Sequence, residues 1–148
     1  MNKVLLIVTC CLIPFSVFAQ HGDSRYERVQ AQKIAFFTER LQLTSSEAEK
    51  FWPVYNDYQS RKNKIANERR TLTQYFIENS ASMSETEISE SLDKFIQLQK
   101  KETELLETYN EKFKQILPEE KVMKIYITEF QFKNWLLKQL RSNHPGRN

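Results

Sequence analysis

Two histidines, two cysteines and 19 acidic residues are the side chains here that could make or break bonds, and their spacing argues against it. His21 and His144 stand near opposite ends of the chain, so no Ser/His/Asp or Cys/His arrangement can be assembled in the body between them. The carboxylates alternate with Lys and Arg, as on solvated helix faces. Only Gly22 and Gly146 are glycines, which excludes a glycine-rich loop cradling phosphate. Cutting the chain after Ala19 would place His21 beside a free amine able to share a copper ion, but cyclisation of Gln20 removes that amine. With one histidine per tail and no thiol nearby, a plain tail outweighs a metal site. The expectation is a chain with no catalytic, cofactor-binding or metal-ligating residue, acting by binding and not as an enzyme.

The chemistry left is contact. Arg61, Lys62, Lys64, Arg69 and Arg70 crowd one stretch beside Ile65, Leu72 and Tyr75. Cations interleaved with apolar groups attract acidic segments of a partner at long range and then hold its side chains by contact. A solvated face with helix pairs such as Lys64 with Glu68 is the plain alternative for the same run. Phe36, Phe51, Trp52 and Trp135 are the aromatics set beside the run (Arg61, Lys62, Ile65, Arg69, Arg70) as a candidate client or dimer surface. The tryptophans fit a core or a dimer interface as well as a binding platform. Phe36 and Phe37 are adjacent, so one of them is expected to be left over for a partner.

These residues must be carried by helices. Between Gly22 and the C-terminal tail, which holds Pro145 and Gly146, only Pro53 and Pro118 interrupt the body, far too little punctuation for strands. Four helices are expected. The first runs from about Ser24 to Gln42; the second starts after Thr44 and reaches about Glu78, with Phe51, Tyr58, Ile65 and Leu72 seven residues apart. Pro53 predicts a kink or a break near Trp52. A third long helix opens at Ser84 with Ile88, Leu92, Phe95, Leu98, Leu105, Leu106, Tyr109, Phe113 and Ile116 as its apolar side. The fourth follows Pro118 with Val122, Ile125, Tyr126, Phe130, Leu136, Leu137 and Leu140, and the chain frays from about Ser142.

The N-terminus supplies an address. Residues 1–19 pair Lys3 with an apolar run ending in Val17 and Ala19, the pattern of a cleaved secretory signal, and too short for a comfortable membrane span. Both cysteines, Cys10 and Cys11, fall inside it, and Thr9 is a poor lipobox residue. The exported chain would then lack disulfides and thiolate sites. Its layout would be a flexible 20–23 start, one helical domain over 24–141 and a 142–148 tail. The formal charge of +3, or about +2 without Lys3, is too balanced to point to nucleic acid.

Two joints bear the most specific letters. Thr44 with Glu47, and Ser84 with Glu87, are capping boxes that fix where a helix begins. The pentapeptide from Leu43 to Glu47, followed by Phe51, Trp52 and Pro53, resembles the LTxxQ motif of the Spy/CpxP family of periplasmic stress proteins, with Glu47 where that family usually has Gln. Leu117 and Pro118, with Glu119 to Lys121, look like a second, degraded copy at the place of the family's second motif. The resemblance implies an all-α, four-helix, elongated and curved cradle, a homodimer without cofactor. It would work in the periplasm without ATP, holding unfolded or misfolded client proteins or reporting stress or metal to a membrane signalling partner. The motif residues are then structural caps and joints.

Overall fold

A computed structural model describes residues 21–142; residues 1–19, on which the expected signal and both cysteines fall, Gln20 and residues 143–148 lie outside the described residues. The fold is all-α, with four helices and no strand among the described residues: α1 (His21–Leu41), α2 (Ser45–Asn79), α3 (Glu85–Lys114) and α4 (Glu119–Ser142). α1 begins at His21, before the expected Ser24, and stops one residue short of Gln42.

Each connection has a local cause. Gln42 takes a left-handed φ of 48°, and the Leu43 and Gln42 N–H groups donate to the Thr38 and Glu39 carbonyls at 3.2 and 3.3 Å. This is the Schellman reversal that ends many helices, here without the usual glycine. Thr44 then opens α2: its Oγ1 accepts the Glu47 N–H at 3.2 Å, and the Glu47 carboxylate accepts the Thr44 N–H at 2.8 Å. Ser84 and Glu87 open α3 in the same reciprocal way. Pro118 stands just before α4, and its carbonyl accepts the Lys121 and Val122 N–H groups.

α2 lies along α3 and α1 along α4, and the two pairs meet at one end of the molecule. There Phe37 and Leu41 of α1, Phe51, Tyr55 and Tyr58 of α2, Tyr109 and Phe113 of α3, and Leu117, Val122, Ile125 and Phe132 of the last segment form one core. Edge-on and tilted ring contacts run through it, among them Phe37 to Tyr55 at 5.1 Å and Tyr58 to Phe113 at 5.9 Å. Such pairs add about 0.5–1.5 kcal/mol each beyond the area they bury.

The heptad spacing on α2 is half a core. Phe51 and Tyr58 are buried, whereas Ile65 and Leu72 are only half-buried and Tyr75 and Phe76 are exposed. No side chain between Tyr58 and Leu98 is buried, so the far half of the α2–α3 hairpin is a helix pair without a third layer. α2 passes through Pro53 as one continuous helix, so the break, one of the two outcomes expected there, does not occur. Glu49 loses one N–H partner there, and the packed rings of Phe51, Trp52 and Tyr55 around it hold the helix together.

Candidate binding surface

The aromatics expected at a surface are mostly inward. Phe51 is fully buried against Phe113, Tyr55 and Trp52, which removes it as a contact for clients or for a second protomer. Trp52 is half-buried, 6.2 Å from Phe37 and 5.1 Å from Phe51. Phe36 and Phe37 both find partners within the chain, so neither is left over. Phe37 enters the core, and Phe36 sits against Phe132 and Trp135 of α4 at 5.5 and 6.1 Å, with the Arg40 guanidinium over its other side. Trp135 stacks on Phe132 at 5.5 Å. The α1–α4 pair consumes these rings because α1 lies along α4, a pairing that spacing within one helix does not specify.

The basic run divides by direction. Lys62 turns inward and donates to Glu129 at 3.1 Å, and Arg69 reaches Gln99 and Glu102 of α3. These two cations tie helices together and are not free for a partner. Arg61 is exposed and bonds Asp57 one turn back at 3.1 Å, while exposed Arg70 donates to Asn67 at 3.5 Å and makes no ion pair among the described residues. Lys64 makes no ion pair among the described residues, including the expected one with Glu68.

Glu129 is the hub of a half-buried polar cluster between the two pairs. It accepts from Tyr55 Oη at 3.1 Å, from Gln59 and from Lys62. Burial and the nearby Glu129 carboxylate push the Tyr55 phenol well above its ordinary range. Burial works against the Lys62 ammonium, but Glu129 and Tyr58 raise it overall. Lys33 of α1 completes the cluster with its Nζ 4.9 Å over the Tyr55 ring and 5.5 Å over Phe37. Its own pKa is lowered, chiefly by desolvation.

Lys33 also marks the end of an open groove of about 1150 Å³ that runs along α2. Asn56, Ser60, Asn63, Asn67 and Thr71 form its wall at spacings of three and four residues, a row of uncharged hydrogen-bonding groups on one face. Lys64 and Lys94 add positive charge and Glu68 one negative charge, and Ile34, Leu72 and Tyr75 add apolar contact. Lys33, Lys64 and Lys94 have no carboxylate within ion-pair distance among the described residues, in contrast to Lys62 and Arg69.

α4 carries a second surface. Phe130, Leu137 and Leu140, expected on its core side, are exposed, Phe130 at 67%. With Met123 (59% exposed) and Ile127 they form an outward stripe at 123, 127, 130 and 137, flanked by Lys133 and Lys138. The core side is instead Val122, Ile125, Thr128 and Phe132. The signal for this was present: α4 has apolar residues on two faces, and only one face can be used by one core.

Among the described residues no group of three or more His, Cys, Asp and Glu could hold a metal, and no helix is long and apolar enough to cross a membrane. Comparison with protein-family models, curated proteins and solved structures gives no match to this chain.

Proposed function

We propose that this protein is a chaperone-like envelope stress protein that holds unfolded or misfolded client chains without ATP. The observation that supports the reading is the groove beside α2. Lys64 and Lys94 have no ion pair among the described residues, the amides and hydroxyls of the wall can bond a client backbone of any sequence, and Ile34, Leu72 and Tyr75 offer apolar contact at the margins. Unpaired exposed cations speed encounter with acidic segments and are screened within about 8 Å at physiological ionic strength. The periplasmic address rests on the 1–19 segment and the resemblance of the Leu43 to Glu47 motif.

An aggregation assay on the purified protein without nucleotide tests this. Suppression at near-stoichiometric ratios is expected, and Lys64→Glu with Lys94→Glu should slow capture of an acidic client and flatten its salt dependence. Tyr75→Ser should instead speed release. No suppression by the parent protein would overturn the reading.

A second reading is supported by the α4 stripe. Its regular spacing suits one amphipathic helix better than an irregular unfolded chain, as for a regulator that binds a membrane signalling protein. A Phe130→Asp variant separates the two: loss of a sensor-domain complex with aggregation suppression intact favours the regulator.

A further inference from the structure

The tip of the α2–α3 hairpin holds a second cleft. Phe76 of α2 and Ile88, Leu92 and Phe95 of α3 border an open space of about 280 Å³, which shares only Leu72 with the groove beside α2. Two helices with no third layer cannot cover these side chains alone, and Leu92 is left 60% exposed. The two hydroxyls in the lining are spent on their own helices: Thr73 Oγ1 donates to the Arg69 carbonyl at 2.9 Å and Ser91 Oγ to the Glu87 carbonyl at 2.8 Å. The cleft therefore offers no free hydrogen-bond donor and suits an apolar group. Charge decides what that group can carry at its other end. Residues 71–93 include Glu78, Glu85, Glu87, Glu90 and Asp93 and no lysine or arginine. Glu85 precedes Ile88 by three residues and Leu92 by seven, so it shares their side of α3. Glu85, Glu90 and Asp93 have no ion pair among the described residues. Of the bordering cations, Arg69 is tied to Gln99 and Glu102, Arg70 donates to Asn67, and Lys94 lines the other groove.

We propose that this cleft binds a cationic amphiphile, with one alkyl chain lying between Phe76, Ile88, Leu92 and Phe95 and the positive head beside Glu85. The volume is at the low end of the ~300–1,000 Å³ usual for small-molecule sites, room for one chain and not for a folded partner. Burial of the chain against apolar side chains supplies the affinity, and the acidic surround selects the sign of the head. An anionic head on the same chain would enter the field of five acidic residues with no cation between positions 71 and 93, whereas an ammonium or guanidinium is drawn in. A sugar or a nucleotide would find no free donor in the cleft to replace the water it gives up. This site goes beyond the holding of clients in the groove, and either can fail without the other.

Calorimetric titration of the purified protein with dodecyltrimethylammonium, dodecyl maltoside and dodecyl sulfate, each below its micelle concentration, tests the assignment. The cation should bind saturably at one per chain, on the order of tenfold tighter than the neutral amphiphile, with the anion weakest. Added salt should narrow these differences. Shortening the chain by one methylene should weaken the cation about fourfold. Ser91→Phe, which fills the cleft without changing a charge, should abolish saturable binding. Glu85→Lys with Asp93→Lys should reverse the order of cation and anion. Circular dichroism establishes that each variant is folded, and Leu92→Gln, a change at an exposed position, should weaken the cation on the order of tenfold even where Ser91→Phe fails to fold. Equal binding of the three amphiphiles overturns the proposal, as does uptake that never saturates at one per chain. So does a folded cleft variant that binds the cation like the parent, or a charge variant that keeps the parent's order.

Discussion

At the scale of single residues, Lys33 couples stability to pH below the range where the tyrosines titrate. Its ammonium is carried partly out of water and rests on the faces of Tyr55 and Phe37, with Glu129 pulling its pKa up and Lys62 pushing it down. Desolvation is the largest of these influences, so the folded pKa lies below that of an unfolded lysine, about 10.4. Between those two values the unfolded chain binds more protons than the folded one, and stability therefore rises with pH across that window. Lys33→Met removes the titrating group and keeps the stem against the rings. The difference in denaturation midpoint between variant and parent should favour the variant at neutral pH and shrink as pH climbs towards 10. Taking the difference matters, because Tyr55 and Tyr58 have raised pKa values and oppose the trend above the ordinary tyrosine range in both proteins. A difference that does not change with pH would mean that Lys33 stays fully solvated.

At the scale of elements, the starts of α2 and α3 share one capping device but differ in what lies behind it. Glu87 serves only its own helix, held low in pKa by the Ser84 backbone and hydroxyl. Glu47 is also bound by Lys121 of α4 at 2.7 Å, the first cause of its lowered pKa, and the same Nζ donates to the Gln42 carbonyl at 2.8 Å. Lys121 thereby fastens the α1–α2 reversal to the fourth helix. Thr44→Ala should cost about 1 kcal/mol, the usual loss for a helix cap. Glu47→Ala should cost more than Glu87→Ala in the same urea titration, and Lys121→Met should shrink that excess; equal costs in both backgrounds would show that the Lys121 bridge is idle. The caps were legible in the sequence because they are local, a fixed offset of three residues between a hydroxyl and a carboxylate. Lys121 was not, since its two acceptors are more than seventy positions away. The same limit explains Phe36 and Phe130. Periodicity shows that a helix has an apolar face, but α4 has two, and only the path of α1 decides that Phe132 goes in and Phe130 stays out.

At the scale of the whole molecule, the distribution of burial sets how the protein should open. All but one of the buried apolar side chains belong to a single core at the end where the two helix pairs meet, and the exception, Leu98, marks where cover on α3 gives out. Amides that lie over this core can exchange only when most of the contacts are lost, whereas those in the uncovered hairpin need break only a two-helix contact. In a dilute monomer, backbone amides of α2 beyond Ile65 and of α3 before Leu98 should therefore exchange faster than those around Tyr55 and Phe113. Association of two copies through the far hairpin would add protection there by mass action, in proportion to how far the concentration exceeds the dissociation constant. Raising protein concentration should then slow exchange in the far hairpin and leave the core end unchanged. Both amide sets responding alike would mean that any association uses the core end or the outer face of α4. Neither responding would leave the hairpin a stable two-helix arm in its own right, with Arg69 on Gln99 and Glu102 as its main tie between helices.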